Sequence, residues 1–193
     1  MLIKNVRLSF PHLFKASSFT VGQDEKYSAT FILAPGDEQV NAIKAEIERI
    51  ASEKWPKGIP SSVKVCLRPN SEKELDGFEE GGFFFNASNG SRPTVIDANR
   101  SPLVEGDGRP YAGCYVNAII DFWAQDNQYG KRVNASLSGV QFVMDGDAFG
   151  GGRPASADDF PDLGDAPSQA GQSVAQQSAP PVEQKSVAAS LFG

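Results

Sequence analysis

A chain of 193 residues holds one domain with an appendage and is too short for two full cores. Its 40% hydrophobic and 22% charged residues are ordinary for a globular protein. Two cysteines without metal-ligand spacing, Cys66 and Cys114, exclude a disulfide framework or a zinc module, and no apolar run approaches membrane-span length. The net charge of −6 is unevenly placed. Residues 1–144 carry 16 Lys+Arg against 17 Asp+Glu, and residues 145–193 carry 2 against 7. The sequence therefore divides into a balanced body, 1–144, and an acidic tail, 145–193. Lys4 and Arg7 interrupt the N-terminal segment, so it does not read as a signal peptide. A reducing cytoplasm is the expected compartment.

Leu2 to Phe10 has the spacing of a strand, with Pro11 expected to end it. Glu25 to Leu33 follows as a second, with Tyr27, Ala29, Phe31 and Leu33 alternating against Ser28, Thr30 and Ile32. After a turn at "APGDEQ", with Asp37 placed to cap, Val40, Ile43, Ile47 and Ile50 recur at helical spacing up to Trp55. Pro56 and Gly58 terminate that helix, whose single apolar stripe predicts packing on a sheet. In the next strand Val63, Val65 and Leu67 alternate with Lys64, Cys66 and Arg68. "SEKELDGFEEGG" is a polar, glycine-ended excursion read as a mobile loop. "FFFNAS" and "PTVID" are short strands joined by the turn residues of "NGSRP". "ANRSPLVEGDGRPYAG" is a long irregular connection of the kind that often carries function.

The clearest element is a hairpin, "GCYVNAIIDFWAQ" and "KRVNASLSGVQFVMD", turning at "DNQYG". Period-two geometry puts Cys114, Val116, Ala118, Ile120 and Phe122 on a core face, with Val133, Ala135, Leu137 and Val143 opposite them. Tyr115, Asn117, Ile119, Asp121 and Trp123 then point outward, beside Arg132, Asn134, Ser136 and Ser138. Beyond Asp145 a Gly-, Gln-, Ser- and Pro-rich composition without periodicity predicts disorder, with apolar points at Phe160–Leu163 and Leu191–Phe192.

Catalytic signatures are absent. The single histidine, His12, follows a strand among apolar neighbours and reads as structural. Neither cysteine has a histidine placed by a known signature, and "FGGGRP" lacks the Gly-Lys-Ser/Thr of a phosphate loop. Aromatic residues interleaved with amides and cations on β surfaces are what remain. An exposed ring calls for a cover, whether protein or ligand. Single-stranded nucleic acid stacks bases on such rings while basic side chains follow its phosphates. The candidate contacts are Tyr115, Trp123, Asn117, Arg132 and Asn134 on the hairpin, with charges from Lys131, Arg92, Arg100 and Arg109. Tyr111 and Phe84 are further aromatic candidates. The competing structural reading lets the helix cover Tyr115 and Trp123 and lets the core absorb one face of "FFFN".

In order, "VRLSF", "KYSATFIL", "FFFNASNGSRPTVIDANRSPL", "PYAGCYVNAIIDFWA" and "GDAFGGGRPASADDF" resemble a phage single-stranded-DNA-binding family typified by the Enc34 phage protein. The resemblance spans the first residues to about Leu163. It implies a mainly β fold, an OB-type five-stranded barrel with insertions and a packing helix. It also implies coating of single-stranded DNA during replication or recombination in the infected bacterial host, with no catalysis, cofactor or metal. The family resemblance maps no DNA contact onto any one residue.

Two further function classes stand beside this one. A metal-dependent nuclease or nucleotide-processing enzyme would use Asp97, Asp107 or Asp121 with magnesium, and a virion or adaptor protein would act through its tail alone. Within the tail, Asp158, Asp159, Phe160, Asp162, Leu163 and Asp165 are expected either to compete with DNA for a basic groove or to dock a polymerase, helicase or nuclease. A plain solubility tail is the third possibility.

Overall fold

The computed structural model describes residues 1–18, 22 and 24–150, which fall in one compact unit. The expectations for Asp158, Asp159, Phe160, Asp162, Leu163, Asp165 and Leu191–Phe192, and for tail disorder, lie outside the described residues.

In chain order the elements are strands β1 (Leu2–Ser17) and β2 (Lys26–Leu33) and helix α1 (Gln39–Lys54). The short strands β3 (Lys64–Val65) and β4 (Arg68–Pro69) follow, then β5 (Phe83–Asn89), β6 (Thr94–Ile96), β7 (Tyr115–Asn127) and β8 (Gly130–Met144). The sheet runs β3-β8-β7-β1-β2-β5-β4, with β6 parallel to β8. Its ends meet. Residues 64–69 pair with β8 through β3 and with β5 through β4, and Asn89 of β5 donates to the Leu137 carbonyl of β8 at 3.1 Å. The five long strands thus form the OB-type barrel that the sequence implied.

Pro11 does not end β1. The strand passes it by bulging, because three residues from Ser9 to His12 span only two residues of β2. A second bulge lies between Ile3 and Val6 opposite β7. Each contains a residue in the left-handed region, Phe10 (φ 47°) and Asn5 (φ 51°). Bulges of this kind bend a strand, which is what β1 needs to serve both sides of a closed barrel.

The core fills the barrel, with Phe31, Phe85, Val116, Ile120 and Leu137 among its fully buried members. Helix α1 adds Val40, Ile43 and Ile47 of the predicted stripe to the same cluster, together with Ala51, while Ile50 is only partly buried against it. Polar contacts at both ends seat it. Gln39 exchanges hydrogen bonds with the Lys4 backbone at 2.7 and 2.8 Å, and the Trp55 indole donates to Asp126 on the hairpin at 2.9 Å.

Three core expectations change. Phe84 was a candidate contact, but its ring is fully buried and presents no face to a base. With Ile32 and Phe78 it forms a second cluster on the outer side of the sheet, so β2 and β5 are covered on both faces at Ile32 and Phe84. The segment read as a mobile loop supplies that cover through Phe78. Val143 is not a core residue either. Ile119 pairs with Gly139 and Ile120 with Leu137, so β8 carries one extra residue there. One extra residue reverses the inward parity, and Val140 and Phe142 are buried instead.

Candidate nucleic-acid interface

The outer face of β2 and β5 is a groove where it is not capped. Its floor is polar: Ser28 opposes Ser88, and Thr30 opposes Asn86, to which its hydroxyl donates at 2.7 Å. Three adjoining concavities share these residues. One, of about 280 Å³, is walled by Phe10, Phe78 and Lys73. The second, of about 620 Å³, adds Lys26, Gln125, Asn127 and Tyr129 from the ends of β1–β2 and the hairpin tip. The third, of about 770 Å³, runs along residues 64–69 to Arg132 and Asn134. Five cations therefore line one path: Lys26, Lys64, Arg68, Lys73 and Arg132. The acids on the same walls are Asp24 and Glu72, and Glu72 is ion-paired with Arg68.

Aromatic rings stand at both ends of this path. Tyr129 is 72% exposed at the hairpin tip, and Phe10 is 48% exposed beside Phe78. Phe10 owes its position to the bulge of β1. A non-glycine residue at φ 47° costs on the order of 1–3 kcal/mol, a strain that clusters at binding sites.

The structure disperses the contacts expected from the sequence. Arg132 and Asn134 line the groove, and Asn134 donates to Gln125 at 3.1 Å. Trp123 lies opposite Asn134 and is 45% exposed, so α1 does not cover it. Lys131 sits at the hairpin tip, 3.4 Å from Asp126 and over the Trp55 ring. The Trp55 indole and Lys131 together hold the Asp126 carboxyl below its ordinary range.

Other candidates are occupied elsewhere. Tyr115 is half-buried, with Arg7 over its ring at 5.4 Å. Asn117 accepts from the Asn5 backbone and donates to Gln141, both at 3.0 Å. Tyr111 donates to Asp145 at 2.8 Å, and burial raises its phenol above the usual range. Arg109 lies over Phe142 and 4.0 Å from Asp145, and Arg92 lies over Phe14. Arg100 is exposed in the loop after β6 and lines none of the three concavities.

Sequence reasoning missed Phe10, Lys26, Lys64, Arg68, Lys73, Asn86 and Tyr129. A signal existed in "KVCLRP", whose alternation sets Lys64 and Arg68 on one face of a strand.

The three carboxylates expected of a metal-dependent enzyme each accept a local hydrogen bond. Asp121 accepts from Ser138 at 2.6 Å, Asp107 from the Val104 backbone at 2.7 Å, and Asp97 from the Ala98 backbone at 2.6 Å. Among the described residues no three His, Cys, Asp or Glu side chains converge as metal ligands. Burial pushes the Cys66 thiol up to about 11 and the Cys114 thiol up to about 12, so neither is a thiolate at neutral pH.

The family described as Enterobacter phage Enc34, ssDNA-binding protein, matches residues 1–170. The chain belongs to that family. Within it, protein p50 of Acyrthosiphon pisum secondary endosymbiont phage 1 is 46% identical over 171 residues, covering 83% of this chain and 92% of that protein. The single-stranded DNA-binding protein from bacteriophage Enc34 in complex with ssDNA is similar at 29% identity and a TM-score of 0.66. The match covers 77% of this chain and 88% of that one. The same phage protein in another solved structure matches at 30% identity and a TM-score of 0.62, covering 86% and 88%. The bacteriophage T7 protein gp2.5 shares the fold, with 13% identity, a TM-score of 0.53 and coverage of 75% and 89%. The Enc34 family thus unites this chain with a relative solved on a nucleic-acid ligand.

Proposed function

We propose that this member of the Enc34 family binds single-stranded DNA in the β2–β5 groove, without sequence preference, as a non-catalytic coat on replication or recombination intermediates in the infected cell. The observation that carries this reading is the continuous path of five cations over a floor of small hydroxyls and an amide, with exposed rings at its ends. Lys26, Lys64, Arg68, Lys73 and Arg132 neutralise phosphates, while Phe10 and Tyr129 accept bases face-on. Stacking is worth about 1–3 kcal/mol per base and is indifferent to base identity. Trp123 and Lys131 extend the surface along the hairpin.

Each phosphate neutralised on a single strand contributes about −0.7 to the slope of log K against log salt, so five give roughly −3.5. A mixed-sequence oligonucleotide titrated across a salt series tests this. Lys64→Glu with Arg132→Glu is expected to weaken binding at least a hundredfold at low salt and to flatten the slope. Unchanged affinity in that double variant overturns the groove assignment.

The acidic residues Asp158, Asp159, Asp162 and Asp165 have the charge sign of the ligand, which favours competition for the groove over docking of a partner. Removing residues 151–193 is then expected to tighten binding, most strongly at low salt. Unchanged DNA binding with loss of a replication partner supports docking instead.

A further inference from the structure

The outer cluster that caps one end of the groove is held down from an unexpected direction. After β8 the chain does not leave the body. The Tyr111 hydroxyl lies 2.8 Å from Asp145 Oδ1 and 3.0 Å from the Gly146 carbonyl, its one proton shared between them, and accepts from the Gly146 N–H at 3.2 Å. Arg7 donates to the Asp147 carbonyl at 2.7 Å, and the Phe149 backbone donates to the Ala112 carbonyl at 3.0 Å. The folded body therefore continues past the boundary expected at 144.

This path ends in one ring. The Arg7 guanidinium lies 4.5 Å from the centre of Phe149 and 5.4 Å from that of Tyr115. Phe149 packs on Ile32, Phe78 and Phe84, and Phe78 meets Phe84 edge-on at 5.3 Å. A Cβ at Gly77 would collide with the tip of the Phe149 ring, so Gly77 lies directly against it. That same segment builds one wall of the groove, through Phe78 and Lys73.

We infer that Phe149 is a positioning residue for the groove: it braces segment 71–82 so that Phe78 and Lys73 form a fixed wall opposite Phe10. The polar segment 71–82 has few apolar residues of its own with which to hold this shape. Phe78 is its buried anchor, and Phe149 packs against the cluster that Phe78 forms with Ile32 and Phe84. Asp145–Phe149 thereby contributes to the wall. The inference rests on the groove assignment above, and the Lys64→Glu, Arg132→Glu variant tests that assignment separately.

The experiment is Phe149→Ala in the full chain, titrated with an oligothymidylate at several salt concentrations, with hydrogen exchange followed over residues 71–82. Binding is expected to fall roughly five- to tenfold, the loss of about one base or phosphate contact. The salt slope should drop by about 0.7 as Lys73 is released, and exchange over 71–82 should accelerate. Phe149→Leu, which keeps apolar cover over Phe78, should restore most of the affinity. A purely structural role would lower thermal stability while leaving affinity and salt slope at fixed folded concentration unchanged, and that result overturns the inference. Should Phe149→Ala fail to fold, the wild-type chain gives the reciprocal test. Coupling is symmetric in free energy, so bound oligothymidylate must slow exchange at the Phe149 amide, and unchanged exchange there overturns it as well. If the charge-reversal variant binds normally, the groove assignment fails; if it binds weakly while Phe149→Ala binds normally, only the bracing role fails.

Discussion

The outer face of β2 and β5 has two halves that share strands, register and chain neighbourhood yet do opposite things. At Ser28, Thr30, Asn86 and Ser88 it is small and polar, with Asn86 exposed and Ser88 half-buried beside the buried Ser28 and Thr30. Two residues farther along, Ile32 and Phe84 are apolar and capped by Phe78. In the polar half the exposed Asn86 amide and the half-buried Ser88 need no apolar cover. In the capped half a missing cover would strand two large apolar side chains in solvent. The proposed groove falls on the half whose residues tolerate desolvation without requiring it.

Breaking the capped half should have the largest effect on the fold. Phe84→Ala removes a fully buried ring and is expected to destabilise the protein by about 3–5 kcal/mol, read in a denaturant melt. At temperatures where it remains folded, its DNA affinity should fall less than that of a groove variant.

Breaking the polar half should reverse that pattern. Phe10→Ala is expected to weaken oligonucleotide binding by about 1–3 kcal/mol if its ring stacks on a base, measured by titration. Stability should change little, since Phe10 is 48% exposed. A stability loss as large as that of Phe84→Ala would erase the distinction between the halves.

The smallest expected effect sharpens the contrast through charge alone. Glu72 is ion-paired with Arg68 on the groove wall. Glu72→Gln frees that cation, and tighter binding by a few fold at low salt is expected, vanishing as salt rises. Exposed pairs contribute little to folding, so the melting temperature should stay within experimental scatter.

Much of the fold was legible because its signals are local. Alternation marked β2, β5 and the hairpin, and helical spacing marked α1 together with its buried residues. Local signals failed where one residue changed the parity. The extra residue of β8 opposite Ile119 and Ile120 exchanged Val143 for Val140 and Phe142, and nothing in "NASLSGVQFV" announces it except Gly139. Pro11 likewise read as an end because proline cannot donate to a ladder, yet at a bulge that loss carries no cost.

The site was less legible than the fold. Arg132 and Asn134 were reached from the hairpin's outward face, but Tyr115, Tyr111 and Arg109, which share that polar and aromatic composition, meet the chain after β8, and Asn117 bonds to Asn5 and Gln141. A ring beside a cation looks the same in sequence whether it stacks on a base or on Arg7.

The sequence by itself determined the strand and helix periods, the separation of a balanced body from acidic residues, and the family. The first two depend on neighbours one to four positions apart and on composition, and the family on the order of its motifs along the chain. Only the tertiary structure decided which outer surface is capped. That choice depends on residues brought together from β1, β5, 64–82 and 145–149, whose contacts span up to 140 positions between Arg7 and Asp147. Burial is a property of such assemblies, and no local pattern encodes it.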